Sequence, residues 1–306
     1  MTETFKFRYK LLKGWLWTIG ILPFPVLYAL SDFLCFFVRR IYRTKVVRDN
    51  LRTAFPDKSD AELKEIEIKF YHQFCDNWVE VIKMLVMDRE EIMRRMKYKG
   101  IDEVKKKFEE TGKQFNFFYL AHFGNWEWLA CLNHWLQPEA RSGQIYHHVY
   151  NRFMNQLLLD LRDQYGGVSI EMKETFRRIL QMRGDGTNYM IGFISDQQPK
   201  WNSIHHFVPF LNHDTAVFIG AEHIGRKVDA FFTYGRMTRP KRGYYEIELI
   251  HMADSANDLP ENTLTNEFFR LLEEDIQSHP EMWLWTHKRW SRTKEEWLRR
   301  QAEGIK

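Results

Sequence analysis

Apolar positions fall along this chain in three regimes. From 14 to 38 they are nearly continuous, "GWLWTIGILPFPVLYALSDFLCFFV", with Asp32 as the sole charge. A run of that length can span a bilayer, but Pro23 and Pro25 predict a kink. Basic residues flank both ends, Lys6, Arg8, Lys10 and Lys13 before and Arg39, Arg40, Arg43 and Lys45 after, so charge asymmetry assigns no orientation. A broken apolar segment between two basic flanks points to a monotopic or re-entrant membrane anchor over residues 1–45. A buried core hairpin is the other solution. No small-residue cleavage site ends the run, which argues against a removed signal peptide.

Beyond it the period becomes helical. Ser59 and Glu62 form a capping-box pattern, and Leu63, Ile66, Phe70, Phe74 and Val81 recur at helical spacing, predicting a helix from about Asp60 to Leu85. Glu90 to Lys97 and Asp102 to Thr111 read as short charged helices. A third regime alternates short apolar runs with amphipathic ones. "FNFFYLA" (115–121), "IYHHVY" (145–150), "YMIGFIS" (189–195), "KVDAFFTYGR" (227–236) and "YYEIELI" (244–250) read as strands. "NWEWLACLNHWL" (125–136), "FMNQLLLDLRDQY" (153–165), "ETFRRILQMRG" (174–184) and the segment from about Thr263 to Gln277 read as helices. This order predicts an α/β domain over 46–306 with a central, mostly parallel sheet flanked by helices. No repeat, low-complexity stretch or linker divides it further.

Composition adds to this picture at two points. Aromatic residues make up 16% of the 306 positions, including 11 Trp and 24 Phe, which suits either an aromatic core or a surface at a membrane interface. The three cysteines, Cys35, Cys75 and Cys131, form no CxxC and no even framework, which fits a reducing compartment better than a disulfide scaffold. The net charge of +4 is too small to indicate nucleic acid, and no reader motif is present.

The candidate chemistry lies in "YLAHFGNWEW" (119–128). On one continuous helix His122 and Glu127, five apart, would point about 140° away from each other. If His122 ends a strand, Gly124 and Asn125 make a turn and Glu127 opens a helix, the turn can fold the carboxylate back onto the imidazole. The pair would then stand at the carboxyl end of a sheet strand, where α/β sites form. Glu127 would hold one ring nitrogen, leaving the other as a general base, and backbone N–H groups near Gly124 to Trp126 would meet an oxyanion. A structural histidine with an acidic neighbour remains the alternative on spacing alone. There is no G-x-S-x-G elbow, P-loop or H-E-x-x-H, and His147-His148 and His205-His206 have no recognisable zinc partners. Direct attack by an acceptor hydroxyl therefore suits the site better than a covalent intermediate.

At these residues the chain resembles the lipid A biosynthesis (late) acyltransferases of the wider lysophospholipid acyltransferase group. "HFGNWE" matches their H-x4-D/E hallmark. "NLRTAFP" (50–56), "VYNRFMNQLLLDLRDQYGG" (149–167), "SDQQP" (195–199), "FVPFLNHDTA" (207–216) and "PEMWLWTHKRW" (280–290) follow in the family's order. The resemblance implies transfer of a fatty acyl chain from acyl carrier protein or acyl-CoA to a hydroxyl of a lipid A precursor. It implies no cofactor and no metal, and places the protein on the cytoplasmic face of the inner membrane of a Gram-negative bacterium. His122 and Glu127 are then the catalytic pair, with Asn125, Tyr150, Arg152, Asn155, Asp196, Gln197 and Arg289 as substrate contacts. Two departures stand out: Asn151-Arg152 replaces the Arg-Pro expected after Tyr150, and Leu211-Asn212 replaces the glycine after the Pro-Phe block. They leave open another glycolipid or aminolipid acceptor. A non-catalytic lipid-binding protein of the same fold is the reading from a different class. The tail "HKRWSRTKEEWLRR" (287–300) interleaves basic residues with Trp, which suits an anionic membrane or an acidic carrier.

Overall fold

The computed structural model describes residues 3–305. The apolar segment expected to kink at its prolines is two helices, α1 (Glu3–Gly20) and α2 (Phe24–Ile41), meeting at 111°. The cause is local. Pro23 caps α2 and Pro25 lies in its first turn, where a missing N–H costs nothing, while α1 cannot continue through them. Among the described residues no single helix is long and apolar enough to cross a membrane. After α3 (Thr44–Ala54), the long helix α4 (Asp60–Lys83) begins at the expected capping box. Ser59 Oγ accepts from the Glu62 N–H, and the Glu62 carboxylate accepts from the Ser59 N–H.

The remaining elements are α5 (Arg89–Arg95), β1 (Met96–Lys99), α6 (Ile101–Thr111), β2 (Phe115–Leu120), a 3₁₀ segment (Trp126–Leu132) running into α7 (Asn133–Leu136), β3 (Arg141–Tyr146), α8 (Arg152–Asp163), β4 (Val168–Glu171), α9 (Thr175–Met182), β5 (Tyr189–Ile194), β6 (His206–Phe210), β7 (His213–Val217), α10 (Gly220–Val228), β8 (Phe231–Lys241), β9 (Tyr244–Ala253), α11 (Thr263–Ser278) and α12 (Lys294–Ala302). Seven strands form one sheet in the order β1-β9-β8-β2-β5-β3-β4. Every neighbouring pair is parallel except β8 with β9. β2 lies at the centre and is buried at all of its positions. That is why its sequence is an apolar run broken only by the hydrogen-bonded Asn116, rather than an alternating one.

Two expectations are corrected. The strand expected over 145–150 begins and ends earlier, at Arg141–Tyr146, and His147 to Tyr150 form the loop that follows. Gly143 sits against Ile191 of β5, so this strand carries a close-packed glycine and polar residues that an apolar pattern does not flag. The helix over 125–136 is mostly 3₁₀, with only its last turn α-helical. The β6–β7 hairpin turns on Leu211 and Asn212, with φ of 49° and 65°. Two consecutive left-handed residues define the tight turn that matches strand twist, so the segment departing from the family block makes a hairpin without glycine.

Candidate active site

β2 and β5 are adjacent and parallel, and their last residues, Leu120 and Ile194, are paired. Both chains therefore leave the sheet at the same level, and His122 and Asp196 follow two residues later on neighbouring strands. The His122 Nδ1 lies 2.7 Å from Asp196 Oδ1. Asp196 Oδ2 accepts from the Trp283 indole N–H at 2.9 Å. The other ring nitrogen, Nε2, lies 3.3 Å from the Gln197 amide nitrogen, and the Trp126 ring stands edge-on to the imidazole at 5.2 Å. Asp196 is 2% exposed. Burial pushes its carboxyl upward, but the attraction and hydrogen bond of the His122 ring and the Trp283 N–H outweigh this and hold it below the ordinary carboxylate value. An ionised Asp196 fixes the Nδ1–H tautomer and leaves Nε2 as the acceptor.

The partner of the imidazole is thus Asp196, where the spacing argument placed Glu127. Glu127 points instead to the last turn of α8, where the Arg162 Nη2 donates to both of its carboxylate oxygens at 3.1 and 2.9 Å. The physical reason is the 3₁₀ segment. It starts at Trp126 and carries Glu127 away along its axis, rather than folding it back. The pair is sheltered, with side chains 17% and 18% exposed.

The turn between His122 and Glu127 is held from several sides. Gly124 has φ of +59°. Its N–H, one of the Gly124 to Trp126 donors expected to meet an oxyanion, donates instead to Met282 O at 2.9 Å. Phe123 forms a β-bridge with Trp283, and the Leu284 N–H donates to His122 O at 3.1 Å. The C-terminal "PEMWLW" block is therefore an antiparallel clamp on the turn that follows His122. From the other side, the Asn77 Nδ2 donates to Gly124 O at 2.6 Å, and the Asn125 Nδ2 donates to Glu80 Oε2 at 2.7 Å.

The remaining predicted contacts separate. Asp196 and Gln197 are at the histidine. Asn125 is buried, its amide engaged with Glu80. Tyr150 projects fully into solvent and Arg152 is exposed at the start of α8. Asn151 caps that helix, accepting from the Phe153 and Met154 N–H groups. Asn155 Oδ1 accepts from the Val149 N–H and so ties down the preceding loop. Arg289, expected to meet a head group, is 1% exposed and lies over the Phe269 ring at 5.7 Å. The Trp283, Trp285 and Trp290 rings pack together around this segment and draw it inward. Burial lowers its guanidinium to about 9. Nearby, burial and the Arg289 charge lower His287 to about 4, so it is neutral near pH 7 and its Nε2 accepts from the Gln198 N–H at 3.2 Å.

Arg162 and Trp283 were missed as site residues. Arg162 follows the buried Leu161 near the end of an amphipathic helix, a faint signal that this side chain borders the packed face. Trp283 lay inside a block already matched by resemblance, but nothing in the sequence tied it to Asp196.

The fold is a mixed, mostly parallel α/β sheet with an imidazole and a carboxylate in contact at adjacent strand ends. Residues 3–292 match the bacterial lipid A biosynthesis acyltransferase family, and the chain belongs to it; it is an acyltransferase. No individual curated protein matches the chain.

Proposed function

We propose that this protein transfers a fatty acyl chain from a thioester donor, acyl carrier protein or acyl-CoA, to a hydroxyl of a lipid A precursor at a membrane surface. The observation that carries the mechanism is the 2.7 Å bond between His122 Nδ1 and Asp196, which leaves His122 Nε2 as the base. The acceptor hydroxyl occupies the place where Gln197 now meets Nε2. His122 removes its proton as the oxygen attacks the thioester carbonyl, and Asp196 stabilises the imidazolium that forms. The carbonyl oxygen becomes an oxyanion, the thiolate leaves as the carbonyl re-forms, and the hydroxyl's proton passes from His122 to the sulfur. The Gln197 amide, displaced from the ring, stands within reach as a donor to the reacting oxygens. Glu127 acts through Arg162, holding a cation at the mouth of the site for the phosphate or sugar of the acceptor.

The membrane part of the reading rests on the α1–α2 hairpin. Phe7, Trp15, Trp17, Phe33, Phe36, Phe37 and Ile41 are all exposed on it, with Arg39 and Arg40 in the last turn of α2. Contiguous exposed apolar rings beside basic residues suit an interfacial helix pair at an anionic bilayer.

Mass spectrometry of lipid A from a Gram-negative host lacking its own late acyltransferases tests the proposal. The expected outcome is a gain of one acyl chain with the protein, lost in His122→Ala. A gain that persists in His122→Ala overturns the mechanism, and unchanged lipid A with a well-folded protein overturns the acceptor.

A further inference from the structure

Glu80 is the most deeply buried carboxylate near the site, at 0% exposure, and nothing in the acyl-transfer step uses it. Three side chains from three separate elements donate to it. The Tyr28 hydroxyl of α2 donates to Oε1 at 2.9 Å. The Asn125 amide of the catalytic turn and the Tyr245 hydroxyl of β9 donate to Oε2 at 2.7 and 2.9 Å. One helical turn earlier, Asn77 holds the Gly124 carbonyl. Gln73 orients this group, donating to both Asn77 Oδ1 at 2.6 Å and Tyr245 Oη at 3.0 Å.

The same helix also grips the hairpin. The Ser31 hydroxyl donates to Asp76 at 2.7 Å, and Arg242 bridges Asp76 and Asp32. At the break between α1 and α2, the Lys83 ammonium donates to the Gly20 and Leu22 carbonyls at 2.9 and 3.0 Å. The polar face of α4 thus has one side on the exposed apolar hairpin and the other on the turn that follows His122.

We propose that Glu80 is a positioning residue that couples the seating of the α1–α2 hairpin to the conformation of the Gly124–Asn125 turn, so that the base is set in place when the hairpin is docked. This rests on reading the His122 turn as the catalytic one. The chemistry requires a carboxylate: it accepts from two hydroxyls and an amide at once, which neither a glutamine nor an aliphatic side chain does without leaving a buried donor unpaired. Movement of Tyr28 with the hairpin pulls on Oε1, and the Asn125 bond on Oε2 passes that shift to the turn, with no contact to either substrate.

The charge of this node is pH-sensitive. Burial raises the Glu80 carboxyl to about 7, with Asp76 pushing the same way and its three donors opposing. The other charged groups around it are Arg95 of α5, which acts on Tyr28, Arg239 of β8, which acts on Tyr245, and Arg242, over the Tyr28 ring at 4.4 Å. Protonation replaces an acceptor with an O–H, and two buried acceptors of this network have no partner among the described residues, Gln73 Oε1 and, on a side chain that touches Glu80 itself, Asn125 Oδ1. Meeting the latter requires the Asn125 amide to turn over, which rewires the catalytic turn below about pH 7.

Glu80→Gln and Tyr28→Phe in the full-length protein test this by two independent readouts. Steady-state kinetics on vesicles carrying the acceptor lipid should show kcat reduced about 10- to 100-fold in Glu80→Gln with KM within about twofold, the signature of misplacement rather than lost binding. The kcat of Tyr28→Phe should fall by less, and the part of the acid limb that belongs to Glu80 should vanish in Glu80→Gln. Amide hydrogen exchange needs no substrate: Glu80→Gln should speed exchange at residues 123–128 and at the hairpin break about tenfold or more, with β8 unchanged. Wild-type kcat together with unchanged exchange in Glu80→Gln overturns the coupling, and so does a uniform rise in exchange across the whole protein. If the wild type transfers no acyl chain to lipid A precursors, the acceptor assignment fails, and the exchange experiment still decides the coupling.

Discussion

At the scale of single residues, the decisive fact is which carboxylate meets the imidazole. Asp196 presents one oxygen to His122 Nδ1 and the other to the Trp283 N–H, so both acceptors are committed to donors. Asp196→Asn can keep only one of these bonds as it stands, and it favours the wrong histidine tautomer. The expected outcome is a loss of about 10²- to 10⁴-fold in kcat with little change in KM, measured by initial rates with a thioester donor. A loss below tenfold would return the orienting role to Glu127. The same pair contributes to stability with a definite sign. Because the folded-state value of Asp196 lies below its ordinary one, its contribution is present above the unfolded pKa and is lost as pH falls through the folded value. Wild type should therefore lose its stability advantage over Asp196→Asn only in acid. His122 was legible in the sequence because it follows a buried apolar strand and precedes Gly-Asn. Asp196 was legible only as a candidate substrate contact, because the parallel pairing of β2 with β5 lies beyond any local pattern.

At the scale of elements, the turn from β2 into the 3₁₀ segment carries the geometry. Gly124 is needed there for two reasons, its φ of +59° and its crowding. A Cβ at this position would stand 2.5 Å from Met237 Sδ and 2.9 Å from Met282 Cε. Methionine tips can yield, whereas the left-handed backbone costs an L-residue about 1–2 kcal/mol. Gly124→Ala should therefore lose about that much stability in urea unfolding and at least about tenfold in kcat, as His122 shifts against Asp196. Full activity in a variant destabilised by this amount would show that the turn does not set the base. The long amphipathic helix α4 and its capping box were readable from period and caps, because its signals are local. The 3₁₀ conformation of 126–132 was not: its residues read as an α-helix, and its course follows from packing between β2, Trp283 and α8.

At the scale of the whole molecule, a hairpin of exposed apolar helices stands beside an α/β body, joined through α4 and α8. Tyr9 and Lys13 of α1 both donate to Asp160 of α8 at 2.6 Å, and the Phe5 and Phe153 rings stack. These ties leave Phe33 and Phe37 of α2 outward, 62% and 47% exposed. Burial of such rings in a bilayer interface contributes about 1.5–3 kcal/mol each. Replacing both (Phe33→Asp with Phe37→Asp) should weaken co-sedimentation with anionic vesicles about 100-fold or more while leaving thermal unfolding unchanged. Unaltered vesicle binding would place the membrane contact elsewhere.

What the sequence determined by itself was whatever depends on neighbours along the chain. This covers the apolar segment and its break at Pro23, the start of α4, the buried strands β2 and β5, and the resemblance to the acyltransferase family to which the chain belongs. The tertiary structure alone decided the partners. It set Asp196 rather than Glu127 on His122, Arg162 on Glu127, the 280–284 segment across the turn after His122, and Glu80 between hairpin and turn. The physical reason is that each of these bonds joins residues tens to hundreds of positions apart, brought together by sheet order and helix packing. Hydrophobic periodicity records which face of an element is buried, and it carries no record of what that face meets.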